Sequence, residues 1–229
     1  PPDVLLGEPA PVELSLRSQD GRACQMAWKL TCPLGSCQPA SGFLTAEGTA
    51  RLLDPHFNLT AVLEEYRATA RSHRVPEHEG EELARDIAAQ TKAVLTGPDH
   101  EPVACHNDLL AANVLNDGER LWIVDWEYAG MNDRYFDLAN LAVNNGLSED
   151  DERLLLELYF GEPADERRVA ALRLMRLMSD VREGMWGVLQ GAVSDLDFDY
   201  GAYAAEHFAR LRAGADDPRL EEWLHAASA

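Results

Sequence analysis

Between residues 103 and 124 the hydrophobic period of this chain breaks, and that break limits the fold more than any other feature of the sequence. Three short apolar runs, at 103–105, 114–115 and 121–124, are spaced by a polar loop and by the hairpin-type turn Asn116-Asp117-Gly118. On both sides apolar residues recur at helical spacing, as Leu59, Val62, Leu63 and Tyr66 do. A pure helical bundle would not interrupt itself with β-branched runs, and a parallel α/β sheet would repeat them. The pattern predicts an α+β, mostly helical fold with one small strand–loop–hairpin unit at its centre.

The flanking helices have legible ends. Residues 59–72 and 81–95 make two amphipathic helices separated by the breaker Pro76, and 136–145 makes a third. Ser148, with Asp151 and Glu152 behind it, reads as an N-cap opening a helix that runs to Phe160, where Gly161 stops it. A longer helix spans 165–193, with Val169, Leu172, Met175, Met178, Met185 and Leu189 along one face, and two more follow at 200–213 and 220–225. Residues 1–45 scatter Pro, Gly, Ser, Cys and Gln without a sustained period, so an irregular segment is expected there, with at most a short strand near 12–16. The chain thus divides into an irregular N-terminal segment, 1–45, and a helical domain, 46–229.

Composition narrows the function. Twenty basic against 40 acidic residues give a formal charge of −20, a field that repels phosphate backbones and anionic headgroups, so no nucleic-acid or membrane partner is expected. No run approaches the roughly 20 apolar residues of a bilayer span. The stretch from Pro1 has no signal-peptide pattern, which makes the cytoplasm the expected location. Cys24, Cys32, Cys37 and Cys105 form no C-x-x-C pair, arguing against a zinc site. Oligomeric state is left open.

Residue types that carry chemistry concentrate at 105–145, where His106, Asp108, Asn113, Asp125, Glu127, Asp133 and Asp137 sit on the strand–loop–hairpin frame. Asp108 and Asn113 share one loop, and Asp125 directly follows the apolar run 121–124, so both loop ends converge. Carboxylate, amide and carboxylate are all oxygen donors, a set that suits Mg²⁺ rather than zinc.

The motif H-N-D-L-L-A-A-N at 106–113, followed by I-V-D-W-E-Y at 123–128, resembles the catalytic loop and metal-binding segment of the choline/ethanolamine kinase family. That family lies in the aminoglycoside-phosphotransferase-like branch of the protein-kinase-like fold. The resemblance runs from about residue 58 to 212 and implies the large, C-terminal lobe of such a kinase. It implies that Asp108 is the base accepting the proton of the substrate hydroxyl as it attacks the γ-phosphate of ATP. It also implies that His106 orients the catalytic loop, that Asn113 and Asp125 hold Mg²⁺, and that Glu127 contacts a second ion or its water shell. Phosphoryl transfer is mostly positioning and charge neutralisation, which agrees with these assignments. Asp137, at the start of an apolar helix, is read as structural support of the site. Tyr128 and Asp133 lie near the metal segment, and Tyr128 is counted among the candidate substrate-binding residues.

A quaternary ammonium accepts and donates no ordinary hydrogen bond, so a choline-type substrate needs aromatic faces. Met185-Trp186-Gly187 and the segment 198–203 resemble the family's cation-pocket elements, making Trp186 and Tyr203, with Tyr200 third, the candidate substrate-binding residues. One departure is Asn144, which stands roughly where eukaryotic members carry an acidic pocket residue. Kinases of this fold also have a small N-terminal lobe with a glycine-rich turn and a phosphate-pairing lysine. Residues 1–45 show no such turn, and Lys29 is their only lysine. The small lobe is therefore expected to be truncated or missing.

The function implied is an ATP-dependent, Mg²⁺-using phosphotransferase acting on the hydroxyl of a small amino alcohol of choline or ethanolamine type. The alternatives are an aminoglycoside or other small-alcohol kinase and a catalytically impaired kinase lobe kept as a binding module. A metal-dependent phosphohydrolase built on His100, His106, Asp108 and Asp125 ranks last, because that spacing fits no familiar metal pair.

Overall fold

The computed structural model describes the backbone of residues 15–18, 24–30, 40–44, 59–116, 121–126 and 128–228. The chain forms two units, Pro1–Pro55 and His56–Ala229. In the first, β1 (Ser15–Ser18), β2 (Cys24–Leu30) and β3 (Ala40–Leu44) pair antiparallel in the order β1-β2-β3. Leu16 lies opposite Met26, and Lys29 opposite Ser41. This corrects the expectation of an irregular segment over 1–45. Cys24, Met26, Trp28 and Leu30 alternate with Gln25, Ala27 and Lys29, a period-2 signal that the surrounding Pro, Gly and Ser obscure.

The second unit runs α1 (Leu59–Ser72), α2 (Glu81–Val94), β4 (Val103–Cys105), β5 (Val114–Asn116), β6 (Leu121–Ile123), β7 (Gly130–Asn132), α3 (Arg134–Asn144), α4 (Glu149–Phe160), α5 (Glu166–Val193), α6 (Tyr200–Ala215) and α7 (Leu220–Ala227). The expected helices are all present. The expected hairpin is β5–β6, with Val114 opposite Ile123. Strand β7 has no counterpart in the sequence reading, since Gly-Met-Asn carries no strand signal. It forms because β4 offers it an edge, with Ala104 opposite Met131.

Capping explains where the helices begin and end. Ser148 and Asp151 form a reciprocal capping box on α4, and Gly161 closes that helix with a left-handed backbone, φ 74°, a conformation glycine adopts without steric cost. Asp133, Asp165 and Asp199 cap α3, α5 and α6 by accepting backbone N–H groups of Tyr135, Arg168 and Ala202. Helix α5 is the hub, packing against α6, α3, α7, α1 and α2. Its Leu172, Val181 and Met185 join Phe136, Leu156, Phe208 and Leu211 in one buried core. Truncating such a fully buried leucine to alanine typically costs about 2–5 kcal/mol. Close approach of α5 and α6 depends on Gly187, where an added Cβ would lie 3.0 Å from Ala204 Cβ. Among the described residues no helix is long and apolar enough to cross a membrane.

Candidate active site

The loop leaving β4 is fixed from three directions. Asn107 adopts a left-handed backbone, φ 65°, which an asparagine tolerates better than most residues. This sharp bend presents the His106 and Asn107 N–H groups to one carboxylate, Asp137, at 2.6 and 2.7 Å. The Asn107 amide donates to Tyr128 O at 3.0 Å and its Oδ1 accepts from Asn132 at 2.9 Å. His106, 2% exposed, donates from Nε2 to the Val124 carbonyl at 2.9 Å, and its Nδ1 accepts the Asp108 N–H at 3.2 Å. A carbonyl only accepts and a backbone N–H only donates, so these partners set the ring's tautomer. His106 thereby bridges the 106–113 loop to the segment entering Asp125. Asp137 does not cap its own helix, which Asp133 does, but buttresses the loop.

Asp108 sits at the centre, 8% exposed. Asn113, at the end of a short 3-10 turn, donates from Nδ2 to the Asp108 carbonyl at 2.9 Å and to its Oδ2 at 3.0 Å. Arg182 of α5 donates from Nη1 to Oδ1 at 2.9 Å. Burial pushes the Asp108 carboxyl up from the ordinary carboxylate range, and the Arg182 guanidinium opposes that rise. Asp125 is exposed and, like Asn107, holds a left-handed backbone, φ 64°. Glu127 lies outside the described residues.

With the Asn113 amide nitrogen committed to Asp108, its Oδ1 and the Asp125 carboxylate are the oxygen donors available to a cation. Among the described residues no group of three His, Cys, Asp or Glu is gathered closely enough to hold a metal ion. An ion here would complete its shell with phosphate and water oxygens, the usual arrangement for Mg²⁺ at phosphate-transferring sites. The residues present fit such an ion.

The four aromatic candidates converge in one cluster. The Trp186 ring meets Tyr200 and Tyr203 edge to face, each at 5.7 Å between centroids, and its Nε1 donates to Tyr128 Oη at 3.2 Å. Phe198, which the sequence reading did not single out, packs against Tyr200 at 4.9 Å and Tyr203 at 5.9 Å while remaining 55% exposed. Tyr203 Oη donates to Glu183 Oε2 at 2.7 Å, and Glu183 Oε1 accepts from Arg182 Nη1 at 2.5 Å. The Arg182 guanidinium lies 4.6 Å from the centre of the Tyr128 ring. A continuous chain of contacts therefore joins Asp108, Arg182, Glu183, Tyr203 and Trp186. Arg182 and Glu183 were missed because adjacent opposite charges inside an apolar helical stripe read as a solvated face, whereas they are 1% and 2% exposed. Among the described residues Arg182 Nε and Nη2 lack a partner at hydrogen-bond distance, although the Tyr66 hydroxyl interacts with the guanidinium.

Other candidates lie elsewhere. Asp133 caps α3 with Oδ1 and bonds His100 Nδ1 with Oδ2 at 2.6 Å, so this pair braces the 3-10 turn Pro98–His100, ahead of β4, to the start of α3. Asn144 donates to Asn140 O and accepts from Arg210 at 3.4 Å. The buried carboxylate beside it is Asp180, bonded to His207 Nδ1 at 2.9 Å and Arg210 Nε at 2.8 Å. Cys105 is buried, and that burial raises its thiol pKa and keeps it unreactive.

Residues 6–172 match the phosphotransferase enzyme family, APH. Protein LicA of Haemophilus influenzae is 46% identical over 55 residues, 24% of this chain and 21% of that protein. Ethanolamine kinase 2 of Rattus norvegicus is 30% identical over 147 residues, 56% of this chain and 38% of that protein. A solved choline/ethanolamine kinase family protein from Mesorhizobium loti is 32% identical, with a TM-score of 0.67 over 75% of this chain and 59% of that one. The chain thus spans only part of the length of each relative it matches.

Proposed function

The chain belongs to the phosphotransferase enzyme family, and from that premise we propose that it transfers the γ-phosphoryl group of ATP to the hydroxyl of a small cationic amino alcohol. The observation that carries the reading is the hydrogen-bonded chain from Asp108 to the Trp186, Tyr200, Tyr203 and Tyr128 cluster, which sets a buried carboxylate beside aromatic faces. In this reading Asp108 accepts the hydroxyl proton as the oxygen attacks phosphorus, while Arg182, Asn113 and His106 keep its carboxylate and backbone in place. Asn113 Oδ1 and Asp125 are the residues that would hold Mg²⁺, which when bound neutralises charge on the phosphate oxygens. Asp137 supports the loop from behind.

The polar atoms of the aromatic cluster favour a quaternary over a primary ammonium. Tyr203 Oη is spent on Glu183, Tyr200 Oη pairs with Ser194 Oγ at 2.9 Å, and Tyr128 Oη accepts from Trp186. Glu183 is buried and already bonded on both oxygens. With the Tyr128 ring already against Arg182, the rings of Trp186, Tyr200 and Tyr203 are the surfaces left to attract a methylated cation, and they do not replace the hydrogen bonds that a primary ammonium surrenders on leaving water.

The N-terminal sheet belongs to the same reading as a reduced small lobe; the family match beginning at residue 6 supports this. A cytoplasmic location, where ATP is at hand, goes with it. The test is ADP release with Mg·ATP and choline, ethanolamine or an aminoglycoside as acceptor. The expected order of kcat/KM is choline, then ethanolamine, then the aminoglycoside; an aminoglycoside in first place would overturn the reading.

A further inference from the structure

We propose that Arg182 is a positioning residue for Asp108: its Nη1 group fixes the carboxylate that receives the alcohol proton and, through Glu183, ties it to the Tyr203 wall of the cation pocket. The inference rests on the reading of Asp108 as base and adds a residue that neither the two sequence motifs nor the aromatic segments contain.

Three features of the geometry carry it. The guanidinium comes from the middle of α5, the hub of the helical unit, so its position is set by the core and not by the loop it touches. A single nitrogen, Nη1, serves both carboxylates, at 2.9 Å to Asp108 and 2.5 Å to Glu183. An arginine retained only to hold a core together would spend its fork on a bidentate pair. Here one donor, Nη1, stands between base and pocket, and Tyr66 is a further hydrogen-bonding neighbour of the guanidinium. Finally, the guanidinium plane is backed by Tyr128, itself bonded to Trp186, which closes the network on the pocket side.

If the network acts as one unit, a displacement of Tyr203 by the substrate's cationic end passes through Glu183 and Arg182 to the Asp108 carboxylate. Binding energy from the non-reacting end would then appear in turnover as well as in KM.

The test uses Arg182→Met, which keeps volume and removes charge, Arg182→Lys, and Tyr203→Phe alone and combined with each. Misplacing the base should lower kcat of Arg182→Met about 100-fold while KM for Mg·ATP moves less than about threefold, and Arg182→Lys should recover about tenfold of that loss. Tyr203→Phe should lower kcat in the wild-type background and add nothing once Arg182 is replaced. A folded Arg182→Met variant within about threefold of wild-type kcat, or additive effects of Tyr203 and Arg182 substitutions, would overturn the proposal. If Arg182→Met does not fold, the Arg182→Lys and Tyr203→Phe cycle decides by the same additivity criterion. Should the wild-type chain phosphorylate no amino alcohol, the functional reading fails separately. Native-state hydrogen exchange at the Asp108 amide then decides on Arg182: exchange about tenfold faster in the variant, with α5 core amides unchanged, supports it, and unchanged exchange overturns it.

Discussion

Asp137 reaches back from the first turn of α3 to two consecutive N–H groups of another loop, a contact that no residue-by-residue pattern encodes. Its place at the head of an apolar helix is legible, and so is a supporting part in the site; its partners are not, because they depend on the left-handed bend at Asn107 thirty residues earlier. The same limit hides Arg182 and Glu183, whose burial is decided by how α5 meets α6 and the loop. By contrast Asp108, Asn113 and His106 stand out in the sequence as one cluster in a short loop between strands, while their roles are what the resemblance to a kinase family implies. Trp186 tests the aromatic part of the account. Removing the best π face should raise KM for choline roughly 30-fold, the equivalent of about 2 kcal/mol for a desolvated cation–π contact. Steady-state kinetics of Trp186→Ala with choline and with a neutral alcohol of the same shape will show it; an equal effect on both alcohols would assign Trp186 to the core instead.

Helices were legible as elements because their caps and stripes agree: Ser148 with Asp151, Gly161, and the apolar face of α5 each fix a boundary locally. The strands were less so. β7 is made by its partner β4, and β1–β3 lie among residues whose turn chemistry masks the alternation in β2. One expectation belongs to this scale. Gly187→Ala places a methyl 3.0 Å from Ala204 Cβ and 3.1 Å from Tyr203 Cδ1, so α6 must shift outward. The melting transition should show a loss of about 1–3 kcal/mol, with KM for the alcohol rising more than KM for ATP; a KM change confined to ATP would argue against the α5–α6 contact as pocket wall.

As a whole the chain carries a formal charge of −20, and its buried carboxylates add to the strain of ionisation. Burial raises the Asp137 and Glu152 carboxyls, outweighing two backbone N–H groups in one case and the Arg176 and Arg173 pairs in the other. A carboxyl that is raised in the folded chain binds its proton there more readily than in the unfolded one. Its contribution is therefore full below the ordinary carboxylate range and is lost as pH rises through the raised value. Half-buried Asp217, held down to about 2 by Arg219, acts in the other direction and loses its contribution as pH falls toward that value. Melting temperature should accordingly rise from pH 8 toward about 5 and fall again below about 4. Added salt, shortening the screening length from about 30 Å at 0.01 M to about 10 Å at 0.1 M, should raise it at pH 8 more than at pH 5. A thermal shift series over pH and salt checks both, and a maximum above pH 7 would contradict the assignment. The central claim, that Asp108 drives phosphoryl transfer to a cationic alcohol, is tested most directly by following choline and Mg·ATP by phosphorus NMR with the wild-type chain and Asp108→Asn. The account predicts a phosphomonoester of choline from the wild type and a rate lower by about 10²–10⁴-fold in the folded variant; equal rates in both, or ATP consumed with no phosphorylated alcohol formed, would contradict it.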